Sequence, residues 1–142
     1  MHIFWSQGLT KKIEPILNLT VENLIKNCGV TEFYIGNHGN FDAMARRVLE
    51  DFSSLYPITY SIVLAYLPEH KNEYDTLRNT IYPEGIETVP KRFAISRRNK
   101  WMIEQADFVV TYVTCNFGGA WQFKRLAEKS AKKVIELTAF TE

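Results

Sequence analysis

Short apolar runs rich in β-branched and aromatic residues alternate along this chain with longer stretches whose apolar residues recur every three or four positions. That alternation leaves few folds open. His2 to Trp5 reads as a short strand, and Ile13, Ile16, Leu17, Val21, Leu24 and Ile25 form one helix face, with Pro15 suited to its first turn. Asn27, Cys28 and Gly29 make a turn into a second strand, Phe33-Tyr34-Ile35, which stops at Gly36. A second helix starts near Phe41, with Met44, Val48, Leu49 and Phe52 on its inner face. Ser61 to Leu67 is the longest apolar run; it predicts a strand buried on both faces, at or near the centre of a sheet, halted by Pro68. Glu69 to Pro83 is polar, with Tyr74, Leu77 and Ile81 as its regular apolar residues, and reads as a loop with a short helix, a candidate lid. Then follow a strand at Gly85 to Val89, a helix at Arg92 to Gln105, a strand at Phe108 to Val113, a helix at Ala120 to Ala131 and a last strand at Val134 to Leu137.

Parallel strands joined by helices need right-handed crossovers, which predicts an α/β fold of Rossmann-like, doubly wound type: a mostly parallel sheet with helices on both faces. With 46% of its 142 residues hydrophobic, the chain suits one domain over residues 1–142, since a chain of this size buries roughly 68–70% of its unfolded surface. No repeat, low-complexity tract or linker divides it. Ligands of such sheets bind beyond the carboxyl ends of the strands, which singles out the loops after Trp5, Ile35, Leu67 and Val113.

The charge balance, 17 Lys and Arg against 16 Asp and Glu, lacks the basic excess of a nucleic-acid binder, so any anion must be held locally. The two cysteines, Cys28 and Cys115, have neither metal nor disulfide spacing, and no metal or cofactor is expected. No window approaches a membrane span and the first residues lack a signal-peptide pattern, so the expected location is the cytoplasm, with neither membrane nor nucleic acid as partner.

Two glycine loops join a strand to a helix. The first, Gly36-Asn37-His38-Gly39-Asn40-Phe41-Asp42, fits neither the dinucleotide nor the P-loop fingerprint. Asp42 occupies the first turn of its helix and repels a phosphate there, so it is expected to accept hydrogen bonds from a sugar hydroxyl or a base. Alternatively, Asn40 and Asp42 only cap the helix while the glycines make the turn. The second loop, Cys115-Asn116-Phe117-Gly118-Gly119-Ala120-Trp121-Gln122, has no acid until Glu128, which makes its backbone amides the better phosphate site. On the preceding helix, Phe93, Ile95, Trp101, Met102 and Ile103 set the packed face, so Arg97 or Arg98 must point outward. Such an arginine either grips a phosphate or stands in solvent.

No GxSxG elbow, HExxH or Cys-His pairing is present, and His2, His38 and His70 lie far apart. His38 falls in the first loop, where a turn role suits it as well as a chemical one. Trp101 and Trp121 suit a core or an interface, although Trp121, beside the glycine pair, is also placed to cover a base.

The ordered set Phe33-Tyr34-Ile35-Gly36-(x)2-Gly39-(x)-Phe41-Asp42-(x)2-Ala45, Arg98-Asn99-(x)2-Met102, Ala106-Asp107 and Gly118-Gly119-Ala120 resembles the SLOG superfamily, most of all its small YpsA-like bacterial branch. The likeness runs from about Glu32 to Leu137 and lies in the order of several short motifs. It implies a Rossmann-like fold, a small-molecule nucleotide or nucleotide-derived ligand, and self-association into a homo-oligomer. That superfamily includes the Lonely Guy phosphoribohydrolases; Arg98 and Met102 match their RKxxM stretch with Asn99 in place of Lys. Gly118 and Gly119 match part of their PGGxGTxxE loop, but here the loop is shorter, lacks Pro and has Gln122 about where the Glu would fall. The branch's Gly-His-Arg after the first strand is replaced by Ser6-Gln7-Gly8. A neutral Gln neither stabilises an oxocarbenium-like transition state nor activates water, so the expected function is binding or sensing of a nucleotide, with phosphoribohydrolase as the alternative. The expected site places phosphate on Gly118, Gly119, Ala120 and Arg98, sugar or base against Gly36, Asn37, Gly39 and Asp42, and polar contacts on Asn99 and Gln122. Arg98 and Asp42 are the catalytic candidates of the alternative.

Overall fold

The structure, a computed structural model, describes residues 2–4, 13–37, 39–66 and 79–140, with backbone alone at 2–4, 139 and 140. Its strands are β1 (His2–Phe4), β2 (Glu32–Ile35), β3 (Thr59–Val63), β4 (Thr80–Ile81), β5 (Phe108–Thr111) and β6 (Lys133–Glu136). The helices are α1 (Ile13–Cys28), α2 (Asn40–Ser53), α3 (Ala94–Gln105) and α4 (Gly119–Lys129). Three 3-10 turns, Ile86–Thr88, Lys91–Phe93 and Leu137–Phe140, complete the described elements. The result is a mixed α/β fold of short strands and helices. All described pairings are parallel, and the sheet order is β4-β3-β2-β1-β5-β6.

Periodicity explains the helices. Ile13, Leu17, Val21 and Leu24 recur along one side of α1 and are fully buried, and Phe41, Met44, Val48, Leu49 and Phe52 do the same on α2. These two stripes share a core cluster with Phe33, Ile35, Ile62 and Val110. A second cluster joins Ile103 of α3 and Phe123 and Ala127 of α4 to Val109. Val109 and Val110 are consecutive on β5, so their side chains leave the strand in opposite directions and enter different clusters. No helix among the described residues is long and apolar enough to cross a membrane.

Three segments differ from the sequence expectation. β3 stops at Val63 and lies one place in from the edge, where β4 covers it: the Ile62 amide donates to the Asn79 carbonyl at 2.7 Å and Leu64 to Ile81 at 2.8 Å. Two residues of strand are too few to print an alternation, which is why β4 reads as part of a loop. Gly85 to Val89 is a 3-10 turn, because Gly85 takes φ +81° and the Thr88 hydroxyl donates back to the Gly85 carbonyl at 2.6 Å. In α3 the buried residues are Ala94, Arg98, Asn99, Met102 and Ile103, while Phe93 is half exposed. The candidate lid lies mostly outside the described residues, as do His38, His70 and the chain between β1 and α1.

Candidate functional site

Both glycine loops leave the carboxyl ends of parallel strands, the first from β2 into α2 and the second after β5 into α4. β1 lies between β2 and β5 in the sheet, so the two strand ends stand two strand spacings, roughly 10 Å, apart. Each helix starts from a glycine in nearly the same backbone conformation: Gly39 at φ 96°, ψ 172° and Gly118 at φ 90°, ψ −179°. Only glycine enters that region without strain, and neither helix receives a side-chain cap.

At the first loop, charge is packed inside. Arg98 is 1% exposed and is among the largest fully buried side chains of the protein. Its Nε and Nη2 both donate to the Asn99 side-chain oxygen, at 3.2 and 3.1 Å, and its Nη1 donates to the Asn37 side-chain oxygen at 3.3 Å. Asp42, 4% exposed, stands beside it. A Cβ placed on Gly36 would meet Asp42 Oδ2 at 2.8 Å and the Arg98 guanidinium carbon at 3.1 Å, so a glycine is what lets carboxylate and guanidinium close over this loop. Burial pulls the Arg98 guanidinium below the ordinary arginine value, and Asp42 and then Tyr66 push it back up. The side chain stays cationic throughout. Tyr66 in turn donates to the Lys91 carbonyl at 3.1 Å, which ties the exit of β3 to the approach to α3.

The sequence expectation had Arg97 or Arg98 outward, and Arg97 is exposed, but it also had Arg98 as the clamp on a phosphate at the second loop. Instead the polar pair Arg98-Asn99 occupies the middle of the buried stripe of α3, and its head group is committed to Asn37 and Asn99. The Arg98 guanidinium carbon lies 3.1 Å from where a Gly36 Cβ would stand, which puts the head group at the first loop. Gly36, Asn37, Asp42, Arg98 and Asn99 therefore form one constellation, with Gly39 bordering it, while Gly118, Gly119, Ala120 and Gln122 belong to another.

That second constellation is open. Phe117 is 74% exposed, Gly118, Gly119 and Gln122 are exposed, and the first turn of α4 holds no acidic residue. Its base, however, is fixed by a carboxylate from a different strand. Glu136, at the end of β6, accepts from the Thr111 hydroxyl at 2.6 Å, from the Val113 amide at 2.9 Å and from the Thr138 hydroxyl at 3.0 Å, and lies 3.6 Å from Lys124 Nζ. Sequence reading missed this hub, since an acid 17 residues downstream of Gly119 meets the loop only through strand pairing.

The first loop also borders a cavity of about 400 Å3, lined by Gly36, Asn37, Gly39 and Asp42, which the sequence singles out, and by Ala43, Arg46, Arg47 and Ile62, which it does not. That volume falls in the range of small-molecule sites. The signal was available in the sequence: Arg46 is four residues after Asp42, and Arg47 four after Ala43, so all four share one side of α2. Among the described residues no group of three or more His, Cys, Asp or Glu is placed to hold a metal ion. Compared with known proteins, the chain matches no family model, no curated protein and no solved structure.

Proposed function

We propose that this chain is a Rossmann-like, doubly wound domain of SLOG type that binds or senses a nucleotide or nucleotide-derived ligand. One observation carries it: a buried guanidinium and a buried carboxylate, Arg98 and Asp42, meet behind a glycine loop that opens onto a cavity of ligand size. Charges taken out of water cost stability, and a buried charged pair beside a cavity marks a candidate site. Here they orient Asn37 and the Asp42 carboxylate toward a sugar or base. The uncapped, acid-free first turn of α4 offers its amides to the phosphate, with Gln122 beside it. The motif likeness to the SLOG superfamily points the same way and adds self-association, which light scattering reads directly.

Calorimetry and thermal unfolding with AMP and the other nucleoside monophosphates test this. A ligand that binds only the folded state, present at 100 times its Kd, adds about 2.7 kcal/mol of stability. Asn37→Ala, on the cavity lining at an exposed position that leaves the core intact, should lower affinity by about 0.5–1.5 kcal/mol, the worth of one hydrogen bond. No shift with any nucleotide overturns nucleotide binding.

Asp42 on the cavity wall favours one second reading, a phosphoribohydrolase of Lonely Guy type in which this carboxylate faces the sugar. Incubation with nucleoside monophosphates and chromatography for free base separates the two. Sustained release above about 0.1 s⁻¹, an order below the usual enzyme range, selects the enzyme.

A further inference from the structure

Three features outside the two loops invite a ligand: the groove of Ile16, Leu19, Thr20, Asn23 and Ile135, the Glu136 hub, and the arginine side of the α2 cavity. Nothing in the structure says what covers the groove, and every strong acceptor bond of Glu136 is spent inside the protein. The α2 cavity differs because its charges do not balance. Of the charged residues that line it, Asp42 faces Arg98. Arg47 reaches only Glu14, at 3.9 Å between two well-exposed side chains, a contact of little worth. Arg46 is half-buried and makes no hydrogen bond or ion pair with any described residue. Two guanidinium groups thus border one cavity with almost no internal compensation, beside the apolar surface of Ala43 and Ile62.

This cavity opens at β2 and β3, whereas the acid-free amides of α4 follow β5 on the other side of β1. One phosphate cannot serve both places, since the strand ends alone are roughly 10 Å apart. We propose that the ligand carries two anionic groups separated by a nucleoside unit, the second of them held by Arg46 and Arg47 in the α2 cavity. The proposal rests on the nucleotide reading above and deepens it: one phosphate sits on the α4 amides, the nucleoside crosses the loop of Gly36 and Asp42, and a second phosphate ends between the arginines. Two anchors on one molecule make the second contact intramolecular, which raises affinity over either anchor alone.

The test compares AMP with the linear dinucleotide 5′-phosphoadenylyl-(3′→5′)-adenosine, which has a phosphate on each side of a nucleoside. In calorimetry on the full chain the dinucleotide should bind at least about tenfold tighter than AMP, the contribution of a charge-assisted contact. Arg46→Gln, with Arg47→Gln as a second variant, should bring the dinucleotide to within about twofold of AMP measured on the same variant, while the unfolding temperature stays as in the unaltered protein. If AMP binds and the dinucleotide binds no tighter, or if Arg46→Gln weakens both ligands equally, the two-anion proposal falls and nucleotide binding stands. If neither ligand binds, both fall together.

Discussion

The two glycine loops begin their helices with the same backbone trick and then diverge. Gly39 and Gly118 hold nearly identical, glycine-only torsions, yet the first loop closes over a buried guanidinium and carboxylate while the second lies open with an exposed phenylalanine at its tip. The difference traces to one residue in each first turn. Asp42 brings a charge that must be matched from inside, and Arg98 of α3 matches it. At the second loop no acid occupies that turn, and its support comes from below, through Glu136. Identical backbone, in other words, does not imply identical use: the first loop is organised by its interior, the second is left for whatever arrives from solvent.

Replacing Arg98 with Met should have the largest effect, a loss of about 3–5 kcal/mol in denaturant unfolding, because it strands the Asp42 carboxylate. Adding Asp42→Asn should recover part of that loss. A loss below about 1 kcal/mol, the size expected of an ordinary surface change, breaks the contrast at its root. Next come Gly39→Ala and Gly118→Ala, each expected to cost about 1–3 kcal/mol because alanine is strained in that region. Matching values sharpen the likeness of the two starts. Gly36→Ala, which forces Asp42 and Arg98 apart, should cost a comparable 1–3 kcal/mol, about that of an overpacked core. Glu136→Gln should cost about 1 kcal/mol by weakening the bonds from Thr111 and Val113, and should leave the first loop untouched. Smallest of all, Gly119→Ala should stay within about 0.5 kcal/mol, since its added methyl meets open space. A loss as large as that of Gly36→Ala would show that the second loop is as tightly packed as the first.

Much of the architecture can be read from spacing. The stripes of α1 and α2 and the strands at Phe33 and Phe108 carry long, regular signals, because burial of one face repeats along the chain. β4 could not be read, being too short to repeat, and Gly85 to Val89 misled because a threonine hydroxyl folds it back on itself. The site was half legible. Its glycines, Asp42 and Arg98 stand out in the sequence, but the partner each would choose does not. Hydrophobic patterning treats an arginine as an outward residue, so it finds Met102 and Ile103 on the packed face of α3 but not Arg98 of the same stripe, and it counts the half-exposed Phe93 as packed. Glu136 and Arg46 acquire meaning only once strands and helix faces bring them beside the loops.

Arg98 and Asp42 also belong to helices whose apolar stripes feed separate core clusters. Their meeting therefore acts as a latch between two otherwise distinct packing units that share little besides the strands. With the latch intact, amide hydrogens of α1–α2 and of α3–α4 should exchange through a single cooperative opening; with Arg98 replaced, α3 and α4 should open first and independently.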